Sequence, residues 1–452
     1  MDETLLLNAA KRSLQYLAQI QDRFVAPDSK AIGQLAQLNE PLPPLGMDAG
    51  EVLHLLDARC SPATMGVAGP RFFGFVIGGS LPVALAANWL AGAWDQNSAL
   101  YQIAPGTAHV EQVALRWLLE LFGLPLASGG AFVTGATVAN FTALAAARHS
   151  VYVKAGWDIE GKGLIGAPPL TIIIGEEAHP SVFKSLGLLG LGRNRVVRVP
   201  VDDQGRMKAD KLPTIKGATI VCVQAGNVNT GAFDPVDIIC KKAHDAGAWV
   251  HVDGAFGLWA IAAPSRFHLT KGMAEADSWA TDAHKWLNVP YDSGIAFVRD
   301  REALRAAMAI TAEYLPTETE HRNPSDYVPE LSRRARGVEI WAALKSLGRS
   351  GVADLVERTC RHARRFAEGL SAAGYEILND VVLNQTLVSF GDADTTHRVI
   401  ADIQREGTCW SGGTVWQGRT AMRISVSSWA TTDEDVERSL EAMIRCARHH
   451  TK

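Results

Sequence analysis

Between Ser128 and about Val298, short apolar runs alternate with stretches of helical periodicity: AFV (Ala131–Val133), TIII (Thr171–Ile174), VVRV (Val196–Val199), TIVCV (Thr219–Val223), AWVHV (Ala248–Val252) and IAFV (Ile295–Val298). Strand-length runs separated by helices predict βα units and a mostly parallel sheet, hence an α/β fold. Ligands of such sheets gather at the carboxyl ends of the strands. Thr134, His179, Asn227, Asp253 and Lys285 all fall just after an apolar run.

On either side the pattern changes. Residues 1–70 read as a helical arm interrupted by PLPPLG (Pro41–Gly46), with apolar residues from Leu5 to Ile20 on one helical face. Residues 71–310 form the expected large domain. Residues 311–452 begin with a lid-like loop, TAEYLPTETEHRNPSDYVPE, rich in Pro, Thr and Glu. Helical patterns follow at Arg334–Leu347 and Val352–Ala373, then short strands near Thr386–Phe390 and Ala421–Val426 and a last helix at Asp433–Ala447. That reads as a small α+β domain. No internal repeat or low-complexity segment interrupts this order.

Composition narrows the classes. Of 452 residues, 47% are hydrophobic and 20% charged, enough for a large buried core and unlike a disordered chain. The net charge of −4 and the lack of any long Lys/Arg run argue against a nucleic-acid partner. Acidic residues in MDETLLLNAAKRS stand where an export signal needs a basic start. Leu81–Trp94, broken by Pro82 and Asn88, is shorter than the roughly 20 residues of a membrane span and is expected to be a buried helix. The six cysteines are scattered without a CxxC pair, which suits a reducing, cytoplasmic setting.

Candidate chemistry concentrates in four places. Lys285, in TDAHKWLNVP, stands between His284 and Trp286, and an amine forms an imine only when desolvation or nearby positive charge leaves it partly deprotonated. A solvated surface lysine is the competing reading. Asp253 ends a buried strand and must find a partner there or take up a proton. A pyridinium nitrogen would serve, and so would a helix cap or an ion pair. VTGATVAN (Val133–Asn140) runs from strand through a glycine turn into a helix, whose first N–H groups suit a phosphate, although any βα turn looks similar. His179 opens a helix at the same sheet edge, where it could cap that helix or stack on a flat cofactor. A metal site from His251, Asp253, Asp282 and His284 lacks the spacing of known motifs, so no metal is expected.

These residues resemble the group II pyridoxal-phosphate (PLP)-dependent amino acid decarboxylases, of aspartate-aminotransferase-like fold. HVDGAFG (His251–Gly257) and DAHKWL (Asp282–Leu287) carry the resemblance by their content, order and separation. It implies a PLP-binding large domain in which Lys285 attaches the cofactor and Asp253 bonds its ring nitrogen. Further implied are His179 stacking on the ring, Ala255 at its other face, Gly135, Ala136, Thr137 and His284 at the phosphate, and Asn227 beside the ring hydroxyl. Tyr314, in AEYLP, corresponds to a lid tyrosine that protonates the substrate carbon after carbon dioxide leaves. Partners implied are a small amino acid substrate and a second copy of the chain, with the active site at the subunit boundary.

Two positions depart from the family. Asp282-Ala283-His284-Lys285 stands where animal aromatic decarboxylases usually read Asn-Pro-His-Lys, placing an acid near the phosphate. Gly254 replaces a usual alanine and is expected to leave more room by the ring. For the substrate, Phe75 in RFFGF offers an aromatic wall that favours an aromatic or bulky apolar amino acid, and Arg423 in MRISVSSW is either a carboxylate binder or a structural arginine. The same machinery would serve an aldehyde synthase or an aminotransferase, and a scaffold retaining only the fold is the reading from another class.

Overall fold

The computed structural model describes residues 3–310 and 321–450. Cα packing divides the chain into two compact units: one holds the residues up to Gly79, Arg365–Leu378 and those from Leu387 onward, the other Ser80–Arg364 and Asn379–Thr386. The arm therefore shares a unit with the carboxyl-terminal segment, while residues 321–364 pack with the large sheet.

That sheet has seven strands: β1 (Gly129–Val133), β2 (Thr171–Gly175), β3 (Val196–Val199), β4 (Thr219–Gln224), β5 (Trp249–Asp253), β6 (Ser278–Asp282) and β7 (Gly294–Val298). Their order is β1-β7-β6-β5-β4-β2-β3. The neighbours β6/β5, β5/β4, β4/β2 and β2/β3 are parallel, and β7 runs against both β6 and β1. β1 consequently points the same way as β5 and β6, and its carboxyl end reaches the same edge. The continuous apolar runs are explained by burial on both faces: every residue of β1, β5, β6 and β7 is buried.

The helix Ala136–Lys154 packs closely on the sheet because its inward stripe is small: Ala139, Ala143, Ala146 and Ala147 are fully buried beside Leu144. A second sheet, β8 (Glu376–Ile377), β9 (Gln385–Ser389), β10 (Gly412–Trp416) and β11 (Arg419–Ser425), has the order β10-β11-β9-β8, with antiparallel β10/β11 and β8/β9 pairs. The two expected long helices lie within Gly337–Ala372, separated by a kink at Gly348, whose φ of 61° suits a residue without a side chain.

One expectation is corrected. Leu81–Trp94 does form a helix, Pro82–Trp94, but only Ala84 and Ala87 are buried on it, while Val83, Trp89, Leu90 and Trp94 are exposed. Apolarity on all sides is read equally well as a core helix or as one whose second face waits for another surface, and only packing separates the two. The helix Glu3–Gln19 likewise buries no residue and exposes Leu6, Leu7 and Leu14. Among the described residues no helix is long and apolar enough to cross a membrane.

Candidate active site

Strand direction brings the candidates together. The ends of β1, β2, β4, β5 and β6 deliver Gly135, His179, Asn227, Asp253 and Asp282 to one edge of the large sheet, and the short helix Ala283–Trp286 carries Lys285 directly after β6. Backbone bonds set the spacing there: Gly254 donates to the Ala280 carbonyl and Asp282 to the Ala255 carbonyl, both at 2.9 Å. The turn after β1 lies hard against the start of β7. A Cβ added at Gly294 would sit 2.4 Å from the Gly135 Cα, so a side chain there would push the turn out of place.

Asp253 is 5% exposed. Its Oδ1 accepts the Ala255 N–H at 3.2 Å, and its Oδ2 is buried with no hydrogen-bond partner. Burial raises its carboxyl above the ordinary range, and the charges of His179 and Lys285 pull the other way. Leaving such an atom unsatisfied costs about 1–3 kcal/mol, more when it is charged. A group that brings an N–H to Oδ2 removes that cost, and a protonated pyridine nitrogen has the required chemistry. Asp253 and His179 line one cleft with Glu177, Ala178, Val182 and Cys222.

His179 is half-buried and caps the helix Pro180–Leu188, its Nδ1 accepting the Ser181 N–H at 3.2 Å. The capping role expected for this residue is thus present. His284 is held by the Ser293 N–H, which donates to Nδ1 at 3.1 Å, and its ring stacks on Tyr291 at 4.3 Å. Burial lowers the His284 imidazole below its ordinary pKa. The neutral ring with Nδ1 as acceptor carries its proton on Nε2. Asn227 is occupied on both side-chain atoms: Oδ1 accepts from Asn229 and Thr230 of its own turn, and Nδ2 donates to Glu177 Oε2, after β2, at 3.2 Å.

Asp282, which the sequence marked as a departure from the family and as a discarded metal ligand, is the hub. Asp282, 2% exposed, accepts the Ala136 N–H on Oδ1 at 2.6 Å and pairs through Oδ2 with Lys285 Nζ at 2.9 Å. His284 Nε2 lies 3.6 Å from Oδ1. The Asp282–Lys285 half was legible as an i,i+3 ion pair on a helical turn. The Ala136 half was not, because it joins residues far apart in the chain. Tyr291, stacked on His284, carried no sequence signal at all.

Gly254 does not open space by the ring, which corrects the expectation for it. A Cβ there would meet the Leu258 Cβ at 2.9 Å and the Ala280 carbonyl at 3.4 Å, so the position faces packed protein. His251 is a structural histidine: Ser278 and Asn140 take its two nitrogens at 2.9 Å each, and burial lowers its pKa to about 3.

Phe75 and Arg423 lie in the other unit. Phe75 is 61% exposed with φ 54°, and it stacks at 6.1 Å on Trp410, which also stacks on Phe72 at 5.1 Å. Gly74 makes this shelf possible, since a Cβ there would fall 2.0 Å from the Trp410 ring. Arg423 is half-buried on β11, and burial lowers its pKa from the ordinary arginine value. Tyr314 lies outside the described residues.

Comparison with known proteins supplies the context for this geometry. The family described as the pyridoxal-dependent decarboxylase conserved domain matches residues 57–391. An aromatic-L-amino-acid decarboxylase of Bacillus atrophaeus is 27% identical over 96% of this chain and 95% of its own. The acidic amino acid decarboxylase GADL1 of Bos taurus is 30% identical over 73% of this chain and 66% of its own. An L-2,4-diaminobutyrate decarboxylase of Rhizobium meliloti is 28% identical over 91% and 86%. Among solved structures, Oryza sativa TDC with PLP and tryptamine superposes with a TM-score of 0.91 at 21% identity, covering 99% of this chain and 98% of that one, a likeness of fold.

Proposed function

The chain belongs to the pyridoxal-dependent decarboxylase family, and within it we propose an enzyme that converts an aromatic or bulky apolar L-amino acid to its amine. Its reaction class is PLP-dependent decarboxylation, a carbon–carbon lyase reaction. The observation that carries the site is the unpartnered Oδ2 of buried Asp253 at the sheet edge that also holds His179, Lys285 and the Ala136 amide. When bound, pyridoxal phosphate supplies an electron sink conjugated with the substrate's amine-bearing carbon. Lys285 would hold the cofactor through its amine. Asp253 would hold the protonated ring nitrogen. His179 and Ala255 would bound the two ring faces, Asn227 would stand by the ring hydroxyl, and Gly135, Ala136, Thr137 and His284 would hold the phosphate. Tyr314 then donates its phenolic proton to the substrate carbon.

The aromatic preference is supported by the near full-length match to an aromatic-L-amino-acid decarboxylase. Relatives named for acidic and diamino substrates make a substrate panel the direct test. Purified protein with PLP should release amine and carbon dioxide from tryptophan, phenylalanine or tyrosine with kcat/KM at least about tenfold above glutamate, cysteine sulfinate and 2,4-diaminobutyrate. Amine from the acidic or diamino substrates alone would refute the aromatic reading. In the same assay Tyr314→Phe should lower amine output by about a hundredfold, with aldehyde appearing and affinity for substrate analogues little changed. Unchanged amine output would remove Tyr314 from the mechanism, and aldehyde or keto acid from the unaltered enzyme would replace decarboxylation by the aldehyde synthase or aminotransferase reading.

We also propose a homodimer. The exposed apolar residues of Glu3–Gln19 and Pro82–Trp94 support it, because a soluble chain gains by covering such faces and a two-fold contact covers both copies at once. Sedimentation should give twice the chain mass. Substituting Glu at Trp89 and Leu90 together should shift the species to monomer and lower activity, whereas a fully active wild-type monomer would contradict the proposal.

A further inference from the structure

Asp282 occupies both groups that cofactor loading needs. One oxygen takes the Ala136 N–H at the start of the helix Ala136–Lys154, and the other takes the amine of Lys285. The carboxylate is 2% exposed, so neither bond is diluted by solvent as a surface pair would be. His284, assigned to the phosphate, also faces it, at 3.6 Å. From this juxtaposition we propose that Asp282 is a positioning residue that competes with the cofactor, holding Lys285 and the phosphate turn in a closed pair that must open before PLP attaches. The inference rests on the reading of Lys285 as the attachment point.

The chemistry defines two arms. Attachment condenses the neutral Lys285 amine with the aldehyde carbon of PLP: a C=N bond replaces the C=O bond, one water leaves, and no oxidant or reductant takes part. While paired with Asp282, the amine holds the proton it must lose to solvent and points at a carboxylate. The second arm is electrostatic, because a phosphate arriving at the Ala136 N–H meets a buried negative oxygen already bonded there. Asparagine in place of Asp282 removes the charge from both arms while keeping an oxygen for Ala136. Alanine removes the competitor from both altogether.

The experiment uses full-length cofactor-free protein, and its readout is the visible absorbance that appears on attachment, not turnover. With pyridoxal, which has no phosphate, Asp282→Asn should attach about tenfold faster than wild type, the equivalent of one charge-assisted bond. With PLP the gain should be at least as large. Inorganic phosphate should slow PLP attachment at lower concentration in Asp282→Ala than in wild type, because the Ala136 N–H is then free. Attachment at the wild-type rate or slower in both variants, with circular dichroism showing both folded, would overturn the proposal, since a merely structural aspartate would lower melting temperature without speeding attachment. Asp282→Ser replaces the alanine variant if that one does not fold. Borohydride reduction and peptide mapping separate the two levels. A label on Lys285 with no rate gain sinks the competition alone, and a label on another lysine sinks the anchor reading and the competition with it.

Discussion

Lys285→Ala is expected to give a folded protein that binds PLP without attaching it, with amine formation lowered by at least about a thousandfold. Lys285 is half-buried and its amine pairs with Asp282, so the shortened side chain removes an ion pair rather than a fully buried core group. Its loss leaves Asp282 buried without its cation, which should cost stability, and the melting temperature of the cofactor-free variant should fall by a few degrees. The checks are the visible spectrum with PLP, borohydride labelling and single-turnover amine release. Wild-type absorbance and turnover in the variant would remove Lys285 from the anchor role.

Asp253→Asn should separate binding from catalysis. An amide still reaches the ring nitrogen but does not hold its proton, so PLP should remain attached while the rate falls by about 10²–10³-fold, the scale of losing one preorganised charge. A stability experiment reads the same residue independently. Burial raises the Asp253 carboxyl in the folded chain, against the pull of His179 and Lys285. A folded-state pKa above the unfolded one means that stability is intact below the unfolded value and is lost as pH rises through the folded one. Without cofactor, asparagine avoids that loss. The melting temperature of Asp253→Asn should therefore exceed that of wild type by more at about pH 8 than at about pH 5, and PLP should narrow the gap by giving the wild-type carboxylate its partner. Near-normal turnover, or a gap independent of pH, would make Asp253 a structural residue.

How much of this was readable in advance follows from the range of the interactions involved. Strands such as Thr219–Gln224 and Trp249–Asp253 were legible because burial on both faces writes itself into consecutive residues. The cluster of Gly135, His179, Asp253 and Lys285 was legible too, since a parallel sheet brings the residues after its strands to one edge without further instruction. The chain alone thus determined the α/β class, the sheet, and the edge where the candidate residues meet. Tertiary structure decided what each neighbour leaves free. Leu258 fills the space that Gly254 was expected to open, and Trp89 and Leu90 face outward on a helix whose composition fits a core. The Asp282 carboxylate reaches the Ala136 N–H because β7 lies between β1 and β6 and brings the Gly135 turn onto Gly294, which is paired with Asp282. The Asp282–Ala136 contact joins residues 146 positions apart, and its distance depends on how strands stack side by side, a quantity that no local pattern of polar and apolar residues encodes.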